Sequence, residues 1–148
     1  MNYSQMAASY RNANETVQKT RQVVLLYDAV IRFLQQSKTA IESQDYEQRY
    51  NLLQKSSNII LGLSSALDYD NGGEISQILG NFYNAMDLRI LGINRSNSID
   101  DLEKIIKEIK IMRDAWHEID SQGAVKNAEA EIAKALPVNA EGTSDFSA

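Results

Sequence analysis

The sequence predicts an all-α fold, an antiparallel four-helix bundle with a short N-terminal segment and a weakly helical or disordered C-terminal tail. Apolar residues recur every three or four positions over four long stretches, which is the spacing of one helix face. Short polar turns separate these stretches, so consecutive helices are expected to lie antiparallel. No stretch of useful length alternates between apolar and polar residues, and strands are therefore not predicted.

Length and composition agree with a single globular domain. The chain has 148 residues, of which 43% are hydrophobic and 24% are charged. It contains no cysteine, which excludes a disulfide framework and a cysteine-ligated zinc site. The net charge of −5 argues against nucleic acid as a partner, because nucleic acid binding depends on a basic surface. There is no apolar run of membrane-spanning length and no signal peptide, so no membrane insertion is expected and the protein is predicted to be cytoplasmic.

The N-terminal segment and the bundle are separated by composition. Residues 1–16 are mostly polar and are predicted to be flexible, with no strong helix cap. A short or marginal helix there would place Tyr3, Met6 and Tyr10 on one face, because they are spaced by three and four residues. Residues 17–121 are predicted to form the bundle.

The bundle helices have predicted bounds and predicted caps. The first helix is expected to begin at residue 17 or 20, and the four helices to cover about residues 17–42, 46–67, 74–93 and 98–120. Asp45 and Ser98 are predicted N-caps, because their side-chain oxygens can accept a hydrogen bond from the first turn. Gly72-Gly73 is predicted to provide a left-handed cap and a tight reversal after the second helix.

The C-terminal extension and the inward faces complete the fold prediction. Gly123 is predicted to end the fourth helix, so that residues 122–148 hold one short helix and then a disordered tail. The residues predicted to face inward on the third and fourth helices are Ile75, Ile78, Leu79, Phe82, Met86, Ile90, Ile93, Leu102, Ile105, Ile109, Met112, Trp116 and Ile119.

Candidate catalytic and metal-binding residues are few. His117 is the single histidine, whereas the di-iron sites of helical bundles use a Glu-x-x-His motif on each of two helices. Loose metal binding by His117 with Asp114 and Glu118 is the less favoured alternative to a surface histidine. Gly72-Gly73 precedes a helix as phosphate-binding glycines do, but no strand precedes it, and a turn is favoured. No catalytic residue, cofactor or metal is predicted, and a bundle enzyme is disfavoured.

Basic residues recur every three positions on the fourth helix, at Lys104, Lys107, Lys110 and Arg113. One interpretation is a basic strip for an acidic partner. The other, which is favoured, is a solvated helix face, because acidic residues are interleaved with the basic ones, at Glu103, Glu108 and Asp114.

Several sequence motifs, taken in order, resemble the flagellin export chaperone family, FliS. The motifs begin with Tyr10 and continue through Leu25–Leu34, which reads LLYDAVIRFL, and through Asn58–Leu63. The most specific stretch is Gly72–Ile75, and Arg113–Trp116 is similar to the family's Arg-x-Ala-Trp. Between these two stretches the matching residues are Leu79, Phe82, Tyr83, Met86, Arg89, Leu91 and Asn94.

The resemblance implies a helical chaperone that holds a flagellar protein. Its expected partners are the C-terminal region of flagellin, which it would keep from polymerising, and a component of the flagellar type III export gate. An amphipathic helix laid into an apolar groove is a known mode of such recognition. The alternative is a helical adaptor for other flagellar or secretion proteins.

The resemblance also implies partner-binding residues. In the family the N-terminal segment lies near the substrate groove, so Tyr10 is the candidate lid or export-contact residue, and Tyr3 and Met6 are its companions. Groove positions are expected beside the central stripes, and each can equally be core. These candidates are Leu25, Leu52, Ile59, Tyr83 and Leu91.

Overall fold

The computed structural model describes the backbone of residues 2–135 and the side chains of residues 2–5, 7 and 19–122. Four α-helices account for nearly all of this part: α1 (Tyr3–Glu42), α2 (Tyr46–Ser65), α3 (Gly73–Ser96) and α4 (Ile99–Ala135). The described residues contain no strand. The predicted all-α fold class is confirmed.

Helix α1 begins at Tyr3, so the predicted start at residue 17 or 20 is wrong. The reason is a capping box that the sequence analysis did not identify. The Asn2 side chain accepts a hydrogen bond from the backbone N–H of Gln5 at 2.8 Å, and the Gln5 side chain accepts one from the backbone N–H of Asn2 at 3.3 Å. The helix ends at Glu42, as predicted.

The loop between α2 and α3 differs from the prediction. Helix α2 ends at Ser65, and its C-cap, Ala66, has right-handed helical dihedrals. The left-handed glycine is Gly73, the first residue of α3, with a φ of 57°. No glycine caps α2, and the loop that follows is held by hydrogen bonds to the Asp68 carboxylate. This carboxylate accepts hydrogen bonds from the backbone N–H groups of Asp70 and Asn71 at 3.2 and 3.0 Å.

Both predicted N-caps are confirmed. The Asp45 side chain accepts a hydrogen bond from the backbone N–H of Gln48 at 3.1 Å, and the Ser98 hydroxyl accepts one from that of Asp101 at 3.1 Å. Helix α4 then continues through Gly123 to Ala135, so the predicted break at Gly123 is wrong. A glycine inside a helix costs only about 1 kcal/mol relative to alanine, and strong helix formers surround this one.

The chain divides into two compact units, of which residues 22–115 form one. The remaining described residues, up to 21 and from 116, belong to the other. The second unit contains an ion pair between Arg21 and the buried Asp120 at 3.7 Å.

Contacts within residues 22–115 confirm the antiparallel arrangement. Lys38 pairs with Glu103 at 2.9 Å, and Arg113 of α4 donates a hydrogen bond to Asp28 of α1 at 2.7 Å. Moving forward by ten residues on α1 therefore moves back by ten on α4.

The other helix pairs of this unit are also joined by side-chain contacts. Helix α2 packs on α3, where Ser57 donates a hydrogen bond to Asp87. The Lys55 ammonium of α2 lies 5.6 Å from the ring centre of Phe33 on α1. Helices α3 and α4 are joined by an ion pair between Arg89 and Glu108. The four helices therefore follow one another around the unit, as an up-and-down bundle requires.

Most of the residues predicted to face inward on α3 and α4 are buried or half-buried. Met86, Ile90, Ile93, Leu102, Ile105 and Ile109 are buried as predicted, and Leu79, Phe82, Met112 and Trp116 are half-buried. Three predictions are wrong, because Ile75, Ile78 and Ile119 are 68%, 58% and 53% exposed. Helical periodicity identifies a face but not how far along the helix its neighbours cover that face.

A buried tyrosine pair lies at the centre of the core. The Tyr27 hydroxyl of α1 donates a hydrogen bond to the Tyr83 hydroxyl oxygen of α3 at 2.8 Å. Both side chains are almost completely buried. Burial raises the pKa of Tyr83, and the hydrogen bond from Tyr27 opposes this shift.

None of the helices in the described part of the chain has the length and hydrophobicity needed to cross a lipid bilayer.

Candidate partner-binding surfaces

Helical register places two of the predicted site residues, Leu25 and Ile59, beside the groove between α1 and α2. The contact between Lys55 and Phe33 shows which residues of the two antiparallel helices lie side by side. Leu25 lies two helical turns before Phe33 on α1, so it is expected beside Gly62, which lies two turns after Lys55 on α2. Ile59 lies one turn after Lys55. Leu25 is 61% exposed and Ile59 is half-buried. The space beside Gly62 is open, since no atom lies within 4 Å of where its Cβ would be. This end of the groove therefore presents apolar side chains beside free space.

Leu52 lies towards the other end of the same groove. It contributes to the floor of a shallow depression, although its side chain is buried. The walls of the depression are polar, and they are formed by Gln36, Thr39, Ser43, Asp45 and Gln48. The groove between α1 and α2 thus changes from apolar near Leu25 to polar near Leu52.

A second apolar surface follows the edge between α2 and α3. Ser57 and Asp87 are in contact there, and the residues at helical spacing from them share this edge. Exposed or half-buried apolar side chains at this edge are Tyr46, Tyr50 and Leu61 on α2, and Leu91 on α3. Leu88, which directly follows Asp87 and is 74% exposed, faces further outward on α3.

A third apolar surface follows the edge between α3 and α4. Ile78 and Phe82 share the helix face of Arg89, which pairs with Glu108 on α4. Ile111 follows Glu108 by three residues and is exposed, as is Ile78. Within residues 22–115, apolar side chains are therefore exposed along three helix edges.

The structure separates the predicted site residues into three groups, at the bundle surface, in the core and in the N-terminal segment. Leu52 lines the α1–α2 groove, helical spacing places Leu25 and Ile59 beside the same groove, and Leu91 shares the α2–α3 edge. Tyr83 is in the core, bonded to Tyr27.

The predicted residues of the N-terminal segment form the third group. Tyr3 is exposed at the first residue of α1. Met6 and Tyr10 belong to the backbone of α1, and their side chains lie outside the described residues.

Some exposed apolar residues were not identified from the sequence. Leu61, Leu88 and Ile111 do carry a signal, since each is an apolar residue outside the inward stripe of its helix. The sequence contains no signal that Ile75 and Ile78 are exposed, because both continue the spacing of the inward-facing residues of α3.

The three residues considered as metal ligands, Asp114, His117 and Glu118, are all exposed. No group of three or more His, Asp or Glu side chains in the described part is placed to hold a metal ion. What these surfaces do offer is apolar contact area in grooves between helices, which suits an amphipathic protein segment.

Residues from separate sequence motifs meet in the structure. Tyr27 and Asp28 belong to the LLYDAVIRFL motif of α1. Tyr27 bonds to Tyr83 of the third-helix motif, and Asp28 bonds to Arg113 of the fourth-helix motif. The hydrogen bond from Arg113 to Asp28 raises the pKa of Arg113. The motifs that carry the resemblance therefore hold helices together.

Comparison with known proteins agrees with this fold and these motifs. The model of the family described as flagellar protein FliS matches residues 2–123. The chain is 28% identical to the flagellar secretion chaperone FliS of Campylobacter jejuni over 83% of this chain and 91% of that protein. It is also 28% identical to the protein of the same name from Bacillus subtilis, over 85% and 94%. For the Salmonella typhimurium protein of that name the identity is 27%, over 72% and 79%. Because the family model covers most of the sequence, the chain belongs to the FliS family of flagellar secretion chaperones.

Proposed function

We propose that this chain binds the C-terminal region of flagellin in the cytosol and delivers it to the flagellar export apparatus. The names of its relatives, flagellar secretion chaperone, support a protein cargo in flagellar export. The observation that carries the proposal is the exposure of apolar side chains along three helix edges of residues 22–115. A segment that covered these edges would be unable to polymerise, and a component of the export gate would then receive it.

The α1–α2 groove is the proposed seat of one flagellin helix. Leu25 and Ile59 supply apolar contact beside the open space at Gly62, and Leu52 supplies the floor further along. Leu91 would contact a part of the segment that continues onto the α2–α3 edge. A contact to Tyr83 would require the bundle to open.

The N-terminal residues Tyr3, Met6 and Tyr10 are proposed to act as a lid near the groove, or as a contact to the export gate. A flagellin end that orders only when bound spends part of its interaction energy on ordering. The complex is thereby weakened enough for release at the gate.

The test is a binding assay between this chain and two forms of flagellin, one complete and one lacking the C-terminal region. Purified chain is immobilised and the retained flagellin is measured. We expect the complete form to be retained and the shortened form to be lost. Equal retention of both would refute the proposal.

A second candidate is an adaptor for other flagellar or secretion proteins. It is favoured by the presence of three apolar edges, which is more surface than one helix covers. A deletion strain distinguishes the two functions. Loss of flagellin secretion supports the flagellin chaperone, whereas intact secretion supports the adaptor.

A further inference from the structure

The groove between α1 and α4 has a different chemistry from the three apolar edges. It is lined by Gln35, Lys38, Glu103, Ile106, Lys107 and Lys110. The Ile106 side chain is 7% exposed and forms an apolar floor. Lys107 and Lys110 stand on the α4 wall, where both are exposed, and Lys38 stands on the α1 wall. The groove thus combines a small apolar floor with basic walls.

The acidic residues of α4 do not neutralise these lysines. Glu108 pairs with Arg89 on the opposite side of α4, and Asp114 pairs with Arg113. The third acidic residue of this face, Glu103, is also engaged.

Glu103 pairs with Lys38 across the groove, and this hydrogen bond and charge raise the pKa of Lys38. No ion pair to Lys107 or Lys110 is present among the described residues. The interleaving that favoured a plain solvated face therefore leaves Lys107 and Lys110 beside the groove without an ion pair, although Asp100 and Glu103 line the adjoining depression with Lys107.

From this arrangement we propose that the α1–α4 groove binds an acidic amphipathic helix of a partner protein. Side chains three residues apart on a helix lie about 5–6 Å apart. Lys107 and Lys110 therefore match two carboxylates at the same spacing on a partner helix. An apolar side chain between those carboxylates would contact Ile106. Charge complementarity selects the acidic helix, and the apolar floor distinguishes it from a nucleic acid backbone.

This site is independent of the proposed flagellin groove, because it uses another helix pair and mainly electrostatic attraction. Its salt dependence should also differ. Exposed ion pairs are screened by salt, whereas apolar contacts are not weakened by it. Binding at the α1–α4 groove is therefore expected to weaken as salt is raised.

The test uses a fluorescent peptide made only of Glu, Ala and Leu, about four helical turns long, with its Glu residues on one face. Fluorescence anisotropy measures its binding to the full chain. We expect Lys107→Gln with Lys110→Gln to weaken binding about tenfold, since each exposed ion pair contributes modestly. Lys104→Gln is the matched control, because Lys104 lines the adjoining depression with Asp100 and not the groove itself, and its loss should change binding less than about twofold.

A second set of three variants adds charge on α1. Gln35 lines the α1–α4 groove, whereas its neighbour Gln36 lines the α1–α2 groove. We expect Gln35→Glu to weaken binding, Gln36→Glu to leave it nearly unchanged, and Gln35→Lys to strengthen it. All of the substituted residues are exposed, so thermal melts should show that each variant keeps the fold.

Four outcomes would overturn the proposal. They are no measurable binding to the wild-type chain, equal binding of a peptide with Gln in place of Glu, equal loss in Lys104→Gln, and equal binding of a single-stranded oligonucleotide of the same charge. The last outcome would mark a general polyanion surface rather than a site for an acidic helix.

Discussion

The hydrogen bond between Tyr27 and Tyr83 joins two opposite helices inside an otherwise apolar core. A buried hydrogen bond of this kind contributes about 1 kcal/mol net to stability. We therefore expect Tyr83→Phe, which removes one hydroxyl and keeps the ring, to lower the free energy of unfolding by about 1 kcal/mol. Urea denaturation followed by circular dichroism measures the change.

Tyr50→Phe provides the control for this prediction, because Tyr50 is exposed and should tolerate the loss of its hydroxyl. A double-mutant cycle with Tyr27→Phe isolates the coupling between the two hydroxyls. Purely additive losses, or equal losses in Tyr83→Phe and Tyr50→Phe, would contradict a stabilising pair.

Leu25 is the residue on which the groove proposal depends most directly. Because it is exposed, Leu25→Gln is expected to leave the melting temperature nearly unchanged. It is also expected to weaken flagellin binding about tenfold, since burying a leucine contributes about 1.5–3 kcal/mol. Leu88→Gln makes the same change at a more exposed leucine on the outer face of α3. Equal weakening by both would show that binding is spread over the bundle surface instead of concentrated in the α1–α2 groove.

At the scale of helices, local signals predicted the interior of the bundle better than its ends. The start of α2 and the caps Asp45 and Ser98 follow from spacing and side-chain chemistry, and the structure contains them, whereas α2 ends at Ser65, two residues before its predicted end. The start of α1 depends on the reciprocal bonds of Asn2 and Gln5, whose sequence signal is only two amide residues three positions apart. The continuation of α4 through Gly123 depends on a glycine penalty that its neighbours outweigh.

Two glycines are expected to respond oppositely to alanine. Gly62 lies within α2 with open space beside it, so Gly62→Ala should stabilise the protein by about 0.5–1 kcal/mol. Gly73 has a φ of 57°, so Gly73→Ala should destabilise it by about 1–2 kcal/mol. Denaturant midpoints measure both changes. A stabilising Gly73→Ala would show that the α2–α3 loop does not need the left-handed residue.

The same loop is expected to be sensitive to acid. Hydrogen bonds from the Asn71 side chain and backbone lower the pKa of Asp68 below its ordinary value of 3.8. A lowered pKa means that the unfolded chain binds a proton more readily than the folded one. The contribution of Asp68 is therefore present above pH 3.8 and lost as the pH falls through the folded-state pKa.

Asp68→Asn tests this sign, because it removes the charge and keeps one acceptor oxygen. The variant should melt below the wild type at neutral pH, and the difference should shrink as the pH is lowered past 3.8. Asp70→Asn in the same loop is the control. A difference for Asp68→Asn that does not depend on pH would contradict the assignment.

At the scale of the whole molecule, the sequence predicted the bundle and its family more completely than it predicted the binding surface. The motifs that carry the resemblance contribute Tyr27 and Tyr83 to the core and Asp28 and Arg113 to a helix contact, so they report on the fold. The periodicity of one chain identifies the residues that face its own core, but it does not identify the surface residues that face a partner. The exposure of residues such as Leu88 is seen only once the helices are packed together.

The last prediction concerns which part of the chain stabilises the fold. All buried hydrophobic side chains of the described part lie between Val24 and Ile109, inside residues 22–115. A chain shortened to end at Gln122 keeps this core, and its melting temperature is expected to change by less than about 2 °C. Ile109→Ala in the shortened chain should instead lower it by about 5 °C or more, since burying an isoleucine contributes several kcal/mol. A large fall on shortening alone would show that residues after 122 contribute to folding stability.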